Sequence, residues 1–147
     1  MPVRRTEDAL KRVKARKREK GTRKPKTAKE VLEDDLDELW SKAVKKRDGY
    51  KCVRCGKPAV HAHHIFSRRH KRTRWDVRNG IALCFRDHFY FVKSSEIDDK
   101  KEYIELIEKQ LREYQSTVYY LRRESQSVWK PTMDDLLELK DRLKEEL

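Results

Sequence analysis

The stretch Cys52 to His88, CVRCGKPAVHAHHIFSRRHKRTRWDVRNGIALCFRDH, holds all three cysteines and all five histidines of the 147-residue chain. The donors Cys52, Cys55, His61, His63, His64, His70, Cys84 and His88 thus share about a quarter of the length. Elsewhere only scattered carboxylates could bind a transition metal, so the crowding points to a metal-dependent site.

Two kinds of donor occur within the stretch. Cys52-Val53-Arg54-Cys55-Gly56-Lys57 reads as a zinc knuckle, two thiolates on a tight turn whose Gly56 can take a left-handed backbone. Cys84 is a candidate third thiolate, and Asp87 stands three residues later, where a second C-x-x-C would place a cysteine. Zinc accepts carboxylate oxygen, so Cys52, Cys55, Cys84 and Asp87 form a candidate set, with His61 as the alternative fourth member. An odd cysteine count fits a reducing compartment and metal ligation better than a disulfide framework. A redox C-x-x-C is the competing reading, but clustered histidines follow the pair where a redox motif would open a helix of a βαβ unit.

Charge places the expected partner's chemistry at the same stretch. The chain is 44% charged with a net charge of +12 and only 36% apolar, which implies a small core that a metal would help to staple and a polyanionic partner, nucleic acid foremost. Met1 to Lys26 carries +9, Thr27 to Ser41 carries −5, Lys42 to Lys93 carries +12 and Ser94 to Leu147 carries −4. The basic excess therefore sits on an N-terminal arm and on the Cys/His stretch. No apolar run reaches the roughly 18–20 residues of a membrane span, and the basic N-terminus lacks a secretory apolar segment, so a cytoplasmic protein without membrane association is expected.

The elements follow from local pattern. Residues 1–26 have too few apolar positions for a packed face and form a basic arm suited to the DNA backbone. Thr27-Ala28-Lys29-Glu30 is a capping box, and Val31, Leu32, Leu36, Leu39, Trp40, Ala43 and Val44 recur at helical spacing, predicting a helix from Thr27 to Arg47. Ala59 to Ile65 reads as a strand, Gly80 to Cys84 as its return strand, and Phe85 to Val92 as a short helix carrying His88. Between the strands lies a basic loop whose Arg68, Arg69, Lys71, Arg72, Arg74 and Arg78 are candidate phosphate contacts. Trp75 is read there as an anchor on the core, and His70 as a phosphate contact or a bystander. Ile104, Ile107, Leu111, Tyr114, Val118 and Leu121 form a heptad-like seam, predicting one helix from Asp98 to Glu124 that either packs on the domain or forms a homodimer. Thr132 starts a last helix with Leu136, Leu137, Leu139, Leu143 and Leu147 on its apolar side. The expected organisation is a basic arm (1–26), a central domain with its leading helix (27–95) and a C-terminal helical extension (96–147), in an α+β fold.

The order strand, His63-His64, basic loop, Asn79-Gly80, strand, helix with His88 resembles the HNH endonuclease family, and phage-type members in particular. The resemblance runs from about Leu39 to Lys93 and rests on Arg47-Asp48-Gly49, Cys52 to Gly56, Ala62-His63-His64-Ile65, Thr73-Arg74-Trp75-Asp76 and Asn79-Gly80. It implies a ββα-metal core and metal-dependent hydrolysis of DNA, nicking the strand to leave 5′-phosphate and 3′-hydroxyl ends, in a host cytoplasm if the gene is phage-borne. His64 then matches the general base, and His63 and His88 the metal ligands. Asn79 matches the position that orients the base or ligates the metal. Many members carry aspartate where His63 stands; an imidazole there moves the preference from Mg²⁺ toward Mn²⁺, Ni²⁺ or Zn²⁺. Asp87 replaces the usual fourth cysteine of the structural zinc. The alternative is a non-catalytic, zinc-stapled module that binds DNA or serves assembly, and the acidic C-terminal helices could dock a protein partner.

Overall fold

A computed structural model describes residues 24–91, 101–111 and 113–147; the expected arm lies almost wholly outside them. The described chain is α+β, a two-stranded antiparallel sheet among helices. No described helix is long and apolar enough to cross a membrane.

Helix α1 spans Ala28–Arg47 and begins as its capping box predicts: the Thr27 hydroxyl accepts from the Glu30 N–H, and the Glu30 carboxylate accepts from the Thr27 N–H. It ends at Asp48, and Gly49 and Tyr50 take left-handed φ values of 64° and 58° to turn the chain toward the knuckle. Strands β1 (His61–His64) and β2 (Gly80–Leu83) pair with His61 opposite Leu83 and His64 opposite Gly80. Both are shorter than the sequence pattern suggests. Between them lie a helical turn, α2 (Lys71–Arg74), and a 3₁₀ turn, Val77–Asn79. After β2 the chain turns helical at Phe85, and Asp87–Phe91 is wound as a π-helix carrying His88.

Helices α3 (Lys101–Gln110), α4 (Tyr114–Ser125) and α5 (Met133–Glu145) follow. The single long helix expected through the seam is broken: Glu113 adopts φ 53°, a left-handed conformation that no helix continues through. The seam itself packs within the chain, with Ile107, Leu111 and Leu121 buried.

Strand alternation divides the interior into two cores. Ile81 and Leu83 join Cys52, Ile65, Cys84, Tyr103, Ile107 and Leu111 on one face. On the other, Ala62 packs against a cluster of Leu32, Leu36, Trp40, Val44, Trp75, Leu136 and Leu143, which joins α1 to α5. The helices after residue 100 are therefore integral to both cores. Gly80 sets how closely α1 approaches the sheet: a Cβ there would stand 2.6 Å from Trp40 Cζ2 and 2.7 Å from Val44 Cγ2.

Candidate active site and metal centre

The knuckle turn closes through Gly56 N–H donating to Cys52 O at 2.8 Å and Cys52 N–H to Lys57 O at 2.7 Å, with Gly56 at φ 72°. Cys84 follows β2, and the helical turn after it returns Asp87 to the same corner. One donor atom each from Cys52, Cys55, Cys84 and Asp87 lie within 4.8 Å of one another, a set that could hold a metal ion. Cys55 Sγ and Cys84 Sγ are 3.6 Å apart, close to the roughly 3.8 Å edge of a tetrahedron with zinc–sulfur bonds of about 2.3 Å. Cys52 Sγ lies 3.2 Å from Asp87 Oδ2.

Burial pushes the Asp87 carboxyl up, but hydrogen bonds from Cys55, Cys52, Arg54 and Cys84 outweigh it and hold the group at about 2. It is an ionised oxygen donor at neutral pH. The Lys57 N–H pulls the Cys55 thiol down, while Asp87, burial and the neighbouring thiols prevail and push it up to about 11. Arg54 at 3.0 Å and Arg86 at 3.5 Å from Asp87 Oδ1 balance the negative charge of this corner. His61 is not part of it; its ring stacks on His88 with centroids 4.5 Å apart.

Four of the five histidines gather around a cleft of about 600 Å³, lined by His61 to Ile65 along β1 together with Asp37, Trp40, Arg68, Arg69 and His88. His63 and His64 point to opposite faces, as alternation demands: His63 meets His88 and Tyr103, while His64 meets Trp40. Both nevertheless line one cleft, and among the described residues β1 pairs with β2 alone, which leaves its other edge free of a strand.

His64 is fixed on two sides. Its Nε2 lies 2.8 Å from the Arg74 carbonyl, which can only accept, so Nε2 carries the proton and Nδ1 keeps a lone pair. The Trp40 ring stacks on it at 3.7 Å and 9°, and Trp40 is itself held by Nε1–H donating to Asp76 O at 2.8 Å. Burial pushes the His64 pKa down to about 4 against the Arg74 carbonyl and Asp37, which raise it. On the other face, His63 Nε2 and His88 Nδ1 are buried without a hydrogen-bond partner among the described residues, on rings 5.5 Å apart. Burial, then the charges of His88 and His64, hold His63 at about 4, and burial likewise lowers His88. Two neutral imidazoles with unmet ring nitrogens suit a divalent cation, and two protein donors would leave it open positions.

Asn79 is not among the residues that line the cleft. Its Nδ2 donates to Phe66 O at 3.0 Å and Thr73 O at 2.9 Å, and its Oδ1 accepts from Phe66 N–H at 2.8 Å. Fully buried, it clamps the two ends of the loop segment that supplies the Arg74 carbonyl.

The basic loop splits into two groups. Arg68 and Arg69 are exposed and line the histidine cleft; Arg68 also reaches Asp37 at 2.9 Å, and Arg69 bonds Ser67 but no carboxylate among the described residues. Arg74 is instead structural, buried against Asp37 at 2.6 Å and Glu33 at 3.5 Å. Lys71 pairs with Glu33, Arg72 with Glu124 and Arg78 with Asp76, and these three line a separate hollow beside Trp129. His70 caps α2 through its backbone. Trp75 is buried, as an anchor should be.

Sequence reasoning missed Asp37 and Trp40 as site residues. Asp37 accepts from Arg74 Nε, Arg74 Nη2, Trp75 Nε1 and Arg68 Nη2, so it fixes the loop on both sides of the carbonyl that orients His64. Their i, i+3 spacing on α1 was the available signal. No protein-family model, curated protein or solved structure matches the chain.

Proposed function

We propose that this chain is a metal-dependent DNA endonuclease of the HNH kind. The observation that carries the reading is one cleft lined by His64, oriented through Nε2, and by His63 and His88, each with a buried ring nitrogen unmet among the described residues, together with Arg68 and Arg69. The β1–β2 hairpin followed by the helical turn bearing His88 supports a ββα-metal core.

In this reading His63 and His88 hold the cation, which when bound neutralises charge on the scissile phosphate and the leaving 3′ oxygen. His64 is neutral at pH 7, and its Nδ1 takes a proton from the attacking water. The Arg74 carbonyl accepts Nε2–H and so stabilises the imidazolium that forms, while Trp40 keeps the ring plane fixed. Arg68 and Arg69 hold flanking phosphates. Cys52, Cys55, Cys84 and Asp87 would hold a zinc that ties the knuckle to the end of β2.

Plasmid nicking with added Mg²⁺, Mn²⁺, Ni²⁺ or Zn²⁺ tests the proposal. Wild type should nick with at least one metal, and His64→Ala should lower the rate by roughly 10²–10⁴-fold. A metal-independent result, or an undiminished mutant, refutes it. A non-catalytic zinc-stapled DNA-binding module is the second reading, favoured by the fact that only the cysteine corner gathers more than two donors among the described residues. It requires salt-dependent DNA binding with no strand scission in any metal.

A further inference from the structure

Beyond the cleft, two phenylalanines lie where a soluble surface gains nothing from them. Phe85 is 60% exposed and Phe89 48% exposed, one helical turn apart on the segment that carries His88. Their ring centroids are 4.5 Å apart, and His61 lies 6.1 Å from Phe85 and 5.9 Å from Phe89. His61 in turn stacks on His88 at 4.5 Å, and His88 meets His63 at 5.5 Å. A continuous row of rings therefore runs from the surface to the pair of unmet nitrogens.

We propose that Phe85, Phe89 and His61 form a stacking platform for an unpaired nucleobase, so that the preferred substrate is DNA with unpaired bases beside the cut. The proposal rests on the endonuclease reading for the word substrate and deepens it by naming the substrate class. Aromatic side chains bind nucleic acid through base faces, and every base offers one whatever its sequence. In a duplex those faces are covered by neighbouring base pairs, and only a frayed, flipped or single-stranded base exposes one to a protein ring. The occupant is argued from continuity and charge. The platform ends at the cleft where Arg68 and Arg69 would hold phosphates, and Arg86, beside Phe85, adds a further exposed guanidinium. Two phenylalanines and a half-buried imidazole are far smaller than the roughly 800 Å² per partner of a stable protein interface.

The test uses the full chain and two fluorescent DNAs, a fully paired duplex and the same duplex with a short mismatched bubble, each carrying 2-aminopurine at the bubble position. Binding is measured without added divalent metal, so that it does not depend on cleavage. Wild type should bind the bubble about tenfold more tightly than the duplex and quench its 2-aminopurine. Phe85→Ala, Phe89→Ala and Phe85→Leu, checked for unchanged zinc content and helicity, should bring that ratio close to one. Equal affinity of wild type for both DNAs overturns the proposal. So does a preference retained by Phe85→Leu, which keeps apolar bulk without a ring and would mark a protein-docking patch. Ring-dependent bubble binding without scission in any metal removes the endonuclease reading and leaves the platform standing; metal-dependent nicking with equal affinity for the two DNAs does the reverse.

Discussion

The cysteine corner and the histidine cleft sit on the same short hairpin and handle their donor atoms in opposite ways. In the corner, three sulfurs and an ionised carboxylate close on one another, with Arg54 and Arg86 balancing the charge. A cation there would find its coordination complete, which is the pattern of a staple. In the cleft, His63 and His88 each leave one ring nitrogen unmet among the described residues, and His64, protonated on Nε2, keeps its lone pair on Nδ1. A cation held there would keep positions for water and phosphate, which is the pattern of a reacting centre. Donor type and the number of donors from the protein, more than donor density along the chain, separate holding from doing.

Removing one donor from each region should sharpen that contrast most. Cys84→Ser is expected to lose bound zinc and lower Tm by about 10 °C or more, because the corner ties the knuckle to β2. His88→Ala should keep the zinc and most of the Tm. Metal analysis beside thermal melting decides it, and the contrast breaks if the two variants behave alike.

Acid should separate the regions by a smaller margin. His63 and His64 are held at about 4, below their ordinary 6.5, so between those values the unfolded chain binds more protons than the folded one. Stability is then full above pH 6.5 and lost as pH falls toward 4, by up to about 1.4 kcal/mol per pH unit for each histidine in metal-free protein. Asp87, held at about 2, stays ionised throughout that window. Urea midpoints at pH 7, 5.5 and 4.5 should fall in that order; a flat or rising series contradicts the burial of the two rings.

The smallest effect is expected at the lining of the cleft. Arg69→Ala should weaken DNA binding a few fold and reduce the slope of log affinity against log salt by about one, with zinc content unchanged. An unaltered slope would mean that Arg69 touches no phosphate.

Much of this arrangement could be read from the chain. The Thr27/Glu30 box marks where α1 begins, the C-x-x-C with Cys84 and Asp87 marks the corner, and strand alternation forces His63 and His64 apart. These signals are local, each carried by residues within a few positions or by side chains of unusual chemistry. The break at Glu113 escaped because the apolar seam keeps its three-and-four spacing across it, and neither glycine nor proline marks the place. The division of the basic loop escaped for a different reason. Whether an arginine faces solvent or a carboxylate depends on partners such as Glu33 and Asp37, 37 to 41 positions from Arg74, and net charge alone cannot show such pairing. His61 looked like a spare ligand because its neighbour in space, His88, is distant in sequence.

The packing of α5 onto α1 bears on the order in which the molecule can assemble during synthesis. Leu136 and Leu143 complete the apolar bed under Leu36, Trp40 and Val44, and Lys140 reaches Asp35 across 105 positions. The buried members of the core behind the thiolate corner end at Leu111, with Tyr114 and Val118 of α4 packed against them, so nothing from α5 enters it. A chain emerging from the ribosome can therefore gather its thiolate corner early, while the bed beneath Trp40, and so the ring that steadies His64, waits for α5. A nascent fragment would thus gather its four corner donors before the ring that steadies His64 is seated on its bed.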